Sequence, residues 1–121
     1  MKSLVVILLI LASCSKSSQL KNQPWRLVAV VQGGVNQILP CDTNDTWTFT
    51  DTGVVNITIK TKCPTFKKDY TRNYSLSEDE KAIFLIFNSQ SYMFTILELN
   101  SASFSAVYKD KSSDLIYYWR K

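Results

Sequence analysis

The chain has 121 residues, 14 Lys or Arg against 10 Asp or Glu, a formal net charge of +4, three cysteines and no histidine. Without histidine, Ser-His-Asp triads and Cys-His dyads are excluded, and so few cysteines cannot complete the ligand set of a structural zinc site. The length suits one domain around one core, and no metal or other cofactor is expected.

Lys2 gives a cationic start, Leu4 to Leu11 is an unbroken apolar run, and the small residues Ala12 and Ser13 lead into Cys14. That is the anatomy of an export signal. The run is far shorter than the roughly 20 residues needed to cross a bilayer as a helix, so it is expected to be removed rather than to stay as an anchor. Leu11-Ala12-Ser13-Cys14 also resembles, at every position, the lipobox of bacterial lipoproteins. The resemblance implies cleavage before Cys14 and a diacylglycerol on its thiol. The alternatives are a plain secretory signal with an incidental cysteine, or a buried amino-terminal strand. Two or three acyl chains hold a protein on a membrane durably, at about 0.8 kcal/mol per buried CH₂. Ser15 after the cysteine, with no acidic cluster behind it, points to an outer-membrane lipoprotein facing the periplasm. Residues 1–13 are therefore expected as signal peptide, 14–23 as lipidated cysteine and flexible polar tether, and 24–121 as the folded domain.

From Trp25 onward apolar and polar residues alternate, and no long stretch repeats at helical spacing. Strands are predicted over Trp25 to Val31, Thr46 to Thr50, Val54 to Lys60, Asp69 to Leu76, Ile83 to Phe87, Tyr92 to Glu98, Ser103 to Lys109 and Leu115 to Arg120. Short turn-type connections force antiparallel neighbours, so the fold class is all-β, an eight-stranded up-and-down meander closing into a small barrel. Asp51-Thr52-Gly53 suits a three-residue hairpin loop with Gly53 left-handed. Counting outward puts Phe49 opposite Val55, Trp47 opposite Ile57, and Cys41 opposite Cys63. With Cys14 lipidated, Cys41 and Cys63 remain as a pair, and an oxidising compartment makes a disulfide the expectation. It would staple the long loop from Gln32 to Asp45 to the end of the third strand, for about 3 kcal/mol.

Four features then come in order: Pro24-Trp25-Arg26-Leu27-Val28 opening the first strand, Cys41-Asp42 ahead of Trp47-Thr48-Phe49, Cys63 after the next strand, and Tyr74-Ser75-Leu76. Together they resemble the lipocalin-like domains of small Gram-negative lipoproteins, from Pro24 to Lys121. The resemblance implies a closed or nearly closed antiparallel barrel. Gln23-Pro24 departs from the Gly-x that precedes this tryptophan in true lipocalins. In those proteins a late arginine covers the tryptophan at the barrel's closed end, a place that Arg120 would take over Trp25. The other reading of Arg120 is an exposed terminal residue.

Strand parity turns Trp47, Phe49 and Ile57 inward on the second and third strands, and Tyr70, Arg72 and Tyr74 on the fourth. Tyr92, Phe94, Phe104 and Tyr108 follow on later strands. These are the ligand-binding candidates, and the competing reading for all of them is plain core. Arg72 needs a partner: a buried carboxylate, a place at the rim, or a ligand's carboxylate or phosphate. An eight-stranded interior is either filled by side chains or holds one small molecule, and so many large aromatics favour a filled or shallow one. Asp42 and Asp45 suit turn caps better than a calcium site. Glu78 to Glu80 reads as a solvated turn. Lys60, Lys62, Lys67, Lys68 and Arg72 make a basic cluster suited to blunting a strand edge, and export argues against nucleic acid. No enzyme is expected. Two functions stay open for what is expected to be a monomer: a membrane-anchored barrel binding an apolar or amphipathic molecule, or a filled barrel acting as an interaction module for an envelope protein partner.

Overall fold

The alternating segments all become strands in the computed structural model, which describes residues 16–38, 44–62, 65–109 and 113–121. They are β1 (Pro24–Gln32), β2 (Val35–Asn36), β3 (Thr46–Phe49), β4 (Val54–Lys62), β5 (Thr65–Leu76), β6 (Ala82–Phe87), β7 (Gln90–Leu99), β8 (Ser103–Lys109) and β9 (Asp114–Arg120). From β3 to β9 each strand pairs with the next, and β1 bonds both β3 and β9. The sheet thus closes into an antiparallel barrel, which removes free edges along most of its length.

The β3–β4 hairpin has the register read from its turn. Trp47 faces Ile57 and Phe49 faces Val55. Gly53 has φ 77°, and Thr50 N donates to Val54 O at 2.9 Å. Cys41 and Cys63 lie outside the described residues, as do Cys14 and the signal segment. Part of the predicted Gln32 to Asp45 loop is instead a hairpin: Gly33 and Gly34, at φ 59° and 79°, form a tight turn that returns β2 onto β1. Asp45 bonds across strands, its Oδ1 accepting from Lys60 N on β4 and its carbonyl from Leu27 N on β1, both at 2.8 Å. Asn88 and Ser89, also at positive φ, close β6 onto β7 in two residues, where a longer turn was predicted.

The stretch expected as a flexible tether is ordered from Lys16. Residues Lys16–Leu20 form a short helix, α1, and Leu20 is fully buried. Five residues cannot hold a helix in water alone, so docking must hold it. The contacts are specific. Trp25 Nε1 donates to Leu20 O at 2.9 Å, Asn22 N to Phe49 O at 2.7 Å, and Lys16 N to Glu80 Oε2 at 3.1 Å. Composition alone reads SKSSQLKN as polar coil, but its single leucine supplies the lid over one barrel end.

Beneath that lid gather the other large, fully buried side chains, Trp25, Phe49, Phe104 and Val55, with Trp119 almost as buried. Phe104 stacks on Trp119 with ring centroids 4.4 Å apart, and Trp25 lies 5.6 Å from Phe104. The expected cover of Trp25 by Arg120 is corrected here. Arg120 is exposed, in register with Arg26 and Ser103 and next to buried Trp119. Alternation puts its side chain on the outer face, and Leu20 with Phe104 covers the indole instead.

Candidate functional site

Toward the other end of the barrel the same inward parity continues, but the side chains no longer meet across the middle. They leave a cavity of ≈ 350 Å³, lined by Trp47, Ile57, Tyr70, Arg72, Leu85, Phe87, Tyr92, Phe94, Tyr108, Leu115 and Tyr117. That volume lies in the range of small-molecule sites, about 300–1,000 Å³. Its floor is the upper surface of the plug, where Trp119 meets Trp47 edge-on at 5.3 Å and stacks under Tyr117 at 5.6 Å. Its wall is a chain of ring contacts: Tyr117 to Phe94 and Phe94 to Tyr108 at 5.4 Å, Tyr108 to Tyr92 at 5.9 Å, and Tyr92 to Phe87 at 6.4 Å. Tilted and edge-on pairs of this kind stiffen a wall without filling the space it encloses.

Of the expected binding residues, Trp47, Ile57, Tyr70, Arg72, Tyr92, Phe94 and Tyr108 line this cavity. Phe49, Tyr74 and Phe104 do not. They are buried around the plug, with Phe49 edge-on to Tyr74 at 5.0 Å. Sequence reasoning missed Leu85, Phe87, Leu115 and Tyr117, because Ala82-Ile83-Phe84-Leu85-Ile86-Phe87 and Leu115-Ile116-Tyr117-Tyr118-Trp119 are apolar on both parities. The turn at Asn88-Ser89 carried the missing signal, since it sets Leu85 opposite Tyr92. An interior expected to be filled or shallow is filled only at one end.

Arg72 sits opposite Val55, which is fully buried, and so shares its inward face. Its guanidinium carbon lies 4.5 Å from the Tyr70 ring centre and 4.2 Å from that of Phe87. Nη1 donates to Thr71 O at 2.7 Å, while Nε is buried without a hydrogen-bond partner. No carboxylate lines the cavity among the described residues. A cation between two rings gains about 0.5–2 kcal/mol per contact, which fixes the head without neutralising it.

The wall is interrupted beside Arg72. β4 pairs with β5 from Val54 to Lys62, whereas β6 reaches β5 only from Asn73 opposite Ile86 to Leu76 opposite Ile83. Thr65 to Arg72 therefore has no strand on its β6 side among the described residues, and Tyr70, Arg72 and Phe87 border a side opening. Lys68 shares the parity of Tyr70 and Arg72 and is exposed at the rim.

Two tyrosines are shifted. Burial pushes the Tyr117 phenol above its ordinary value, with nearby Tyr108 adding to the effect. Burial, then Asp51, raises Tyr74, whose hydroxyl donates to Thr50 O. Both stay neutral, so Tyr117 presents a hydroxyl, not a charge, to the cavity.

The sequence model of the family described as lipocalin-like domain matches residues 23–106. No curated protein matches the chain. Among solved structures, that of a lipocalin-like protein from Bacteroides uniformis ATCC 8492 is similar at a TM-score of 0.60 and 16% identity, covering 85% of this chain and 98% of that one. Bovine odorant binding protein complexed with its natural ligand is similar at 0.53 and 19% identity, covering 86% and 72%. Its complex with a selenium-containing odorant gives 0.51 and 18%, covering 86% and 71%. At these identities the likeness is one of fold.

Proposed function

This chain belongs to the lipocalin-like domain family, and from that premise we propose that it is a binding protein holding one apolar or amphipathic small molecule in the open half of its barrel. The aromatic cavity of ≈ 350 Å³ carries the reading. The bovine odorant binding protein, which carries ligands on a similar barrel, supports it by analogy of fold. No catalytic role is assigned to any residue.

The lipobox-like Leu11-Ala12-Ser13-Cys14 supports anchoring through lipid on Cys14, at the outer membrane and facing the periplasm. Lys16, two residues on, begins the helix that docks on the closed end. An acyl anchor there would keep that end against the bilayer and turn the mouth away from it. Membrane fractionation checks this: Cys14→Ser should release the protein. Cys41 and Cys63 belong to the same reading as a disulfide, so alkylation of the unfolded, unreduced protein should label neither.

A second reading rests on the outer face of β6 and β7. Ile86 and Met93, 44% and 49% exposed, lie diagonally across the hairpin, with Phe84 opposite Met93. Such a patch suits a protein contact. Native mass spectrometry of protein purified from a bacterial periplasm separates the two. A small molecule lost on denaturation supports the binding protein. A clean mass after incubation with envelope lipids moves the weight to the outer face.

A further inference from the structure

Resting on that cavity reading, we propose that the ligand is an anionic amphiphile: one hydrocarbon tail in the aromatic cavity, and an oxyanion head, carboxylate or phosphate, held by Arg72 at the gap between β5 and β6.

The polar inventory of the cavity is one-sided. Apart from Arg72 its lining is aliphatic and aromatic, with hydroxyls from tyrosine. Among the described residues no carboxylate lines the site, so the guanidinium has donors to spare, and its Nε is out of water with no partner there. A buried donor left unmade is a penalty that an incoming acceptor removes, and an ionised acceptor removes it best. An alcohol repairs the hydrogen bond but not the charge, and an amine adds like charge.

Placement agrees with chemistry. Tyr70 and Phe87 hold the guanidinium from two sides at 4.5 and 4.2 Å, so the fork is oriented before any ligand arrives. It lies where the β5 wall loses its β6 neighbour, on the way between solvent and cavity. Lys68 on the same face and Lys67 beside it are exposed along that edge, which raises the local concentration of anions. An interior of ≈ 350 Å³ suits one medium-length alkyl chain.

The test is calorimetric titration of the purified protein with decanoate, decyl phosphate, decanol and decylamine, the ionic amphiphiles below their micelle concentrations and decanol below its solubility limit. Decanoate or decyl phosphate should bind about ten- to a hundred-fold tighter than decanol, decylamine more weakly still, and the tighter of the two anions names the head. Arg72→Gln should remove the anions' advantage over decanol measured on the same variant; Arg72→Lys should restore part of the preference. Near-UV circular dichroism of each variant checks its fold. Equal affinity for decanoate and decanol in the wild type overturns the anionic head and leaves the cavity reading standing. If none of the amphiphiles binds, the cavity reading fails and the head group with it.

Discussion

At the closed end of the barrel Phe49 on β3 reaches Phe104 on β8 across the lumen, with ring centroids 6.2 Å apart, and Phe104 also meets Trp25 at 5.6 Å and its strand neighbour Trp119 at 4.4 Å, under the lid of Leu20. At the open end Phe94, Tyr108 and Tyr117 make ring contacts of similar length, 5.4 Å, yet these run around the wall and leave ≈ 350 Å³ inside. The residue types barely differ. What differs is the direction of contact, and whether another element covers the end: α1 does so on one side, and Arg72 with its two flanking rings stands at the gap on the other. Aromatic content therefore says little about whether a small barrel is solid or hollow.

The sharpest way to test that division is to truncate one ring on each side. Trp119→Ala should cost about 3–5 kcal/mol in urea unfolding, since the ring is buried and packed against Phe104, Trp47 and Tyr117. Tyr92→Ala, at the half-buried rim, should cost about 1 kcal/mol. Equal losses would mean that the open half is as tightly packed as the closed one. Next in size is the lid. Leu20→Ala should cost about 2 kcal/mol, the low end for a buried leucine because a short helix can settle into the space. No loss would return that segment to a tether.

Arg72→Met should leave stability unchanged or raise it by up to about 1 kcal/mol, a discounted figure because the side chain is partly exposed. A clear loss would show that the arginine is structural. The smallest effect is titration. Tyr74 and Tyr117 have folded values above the ordinary 10.0. Their contribution to stability is therefore full below pH 10 and is lost as pH rises through the folded values. In a phenolate absorbance titration two of the six tyrosines should lag, and Tyr117→Phe should remove one of them.

How much of this was legible in the sequence follows the same division. Alternation and the Asp51-Thr52-Gly53 turn gave the strands and the β3–β4 register, because a half-buried strand must alternate and that loop admits few geometries. Arg72 was found because it breaks the inward pattern of its own strand. The lid was not legible, since one leucine among polar residues has no period to read. Nor was the partition of inward aromatics into plug and wall, which depends on how far each strand runs beyond its neighbour: Tyr74 and Tyr70 share a strand and a parity, yet fall on opposite sides of it.

The most direct test of a hollow, ligand-holding half above a solid one is an amide and side-chain NMR titration with decanoate. Shifts confined to Leu85, Phe94, Leu115 and Tyr117, with Leu20, Trp25 and Phe104 unmoved, are the expected result. Shifts on the outer face at Phe84, Ile86 and Met93, or none at all, would contradict it.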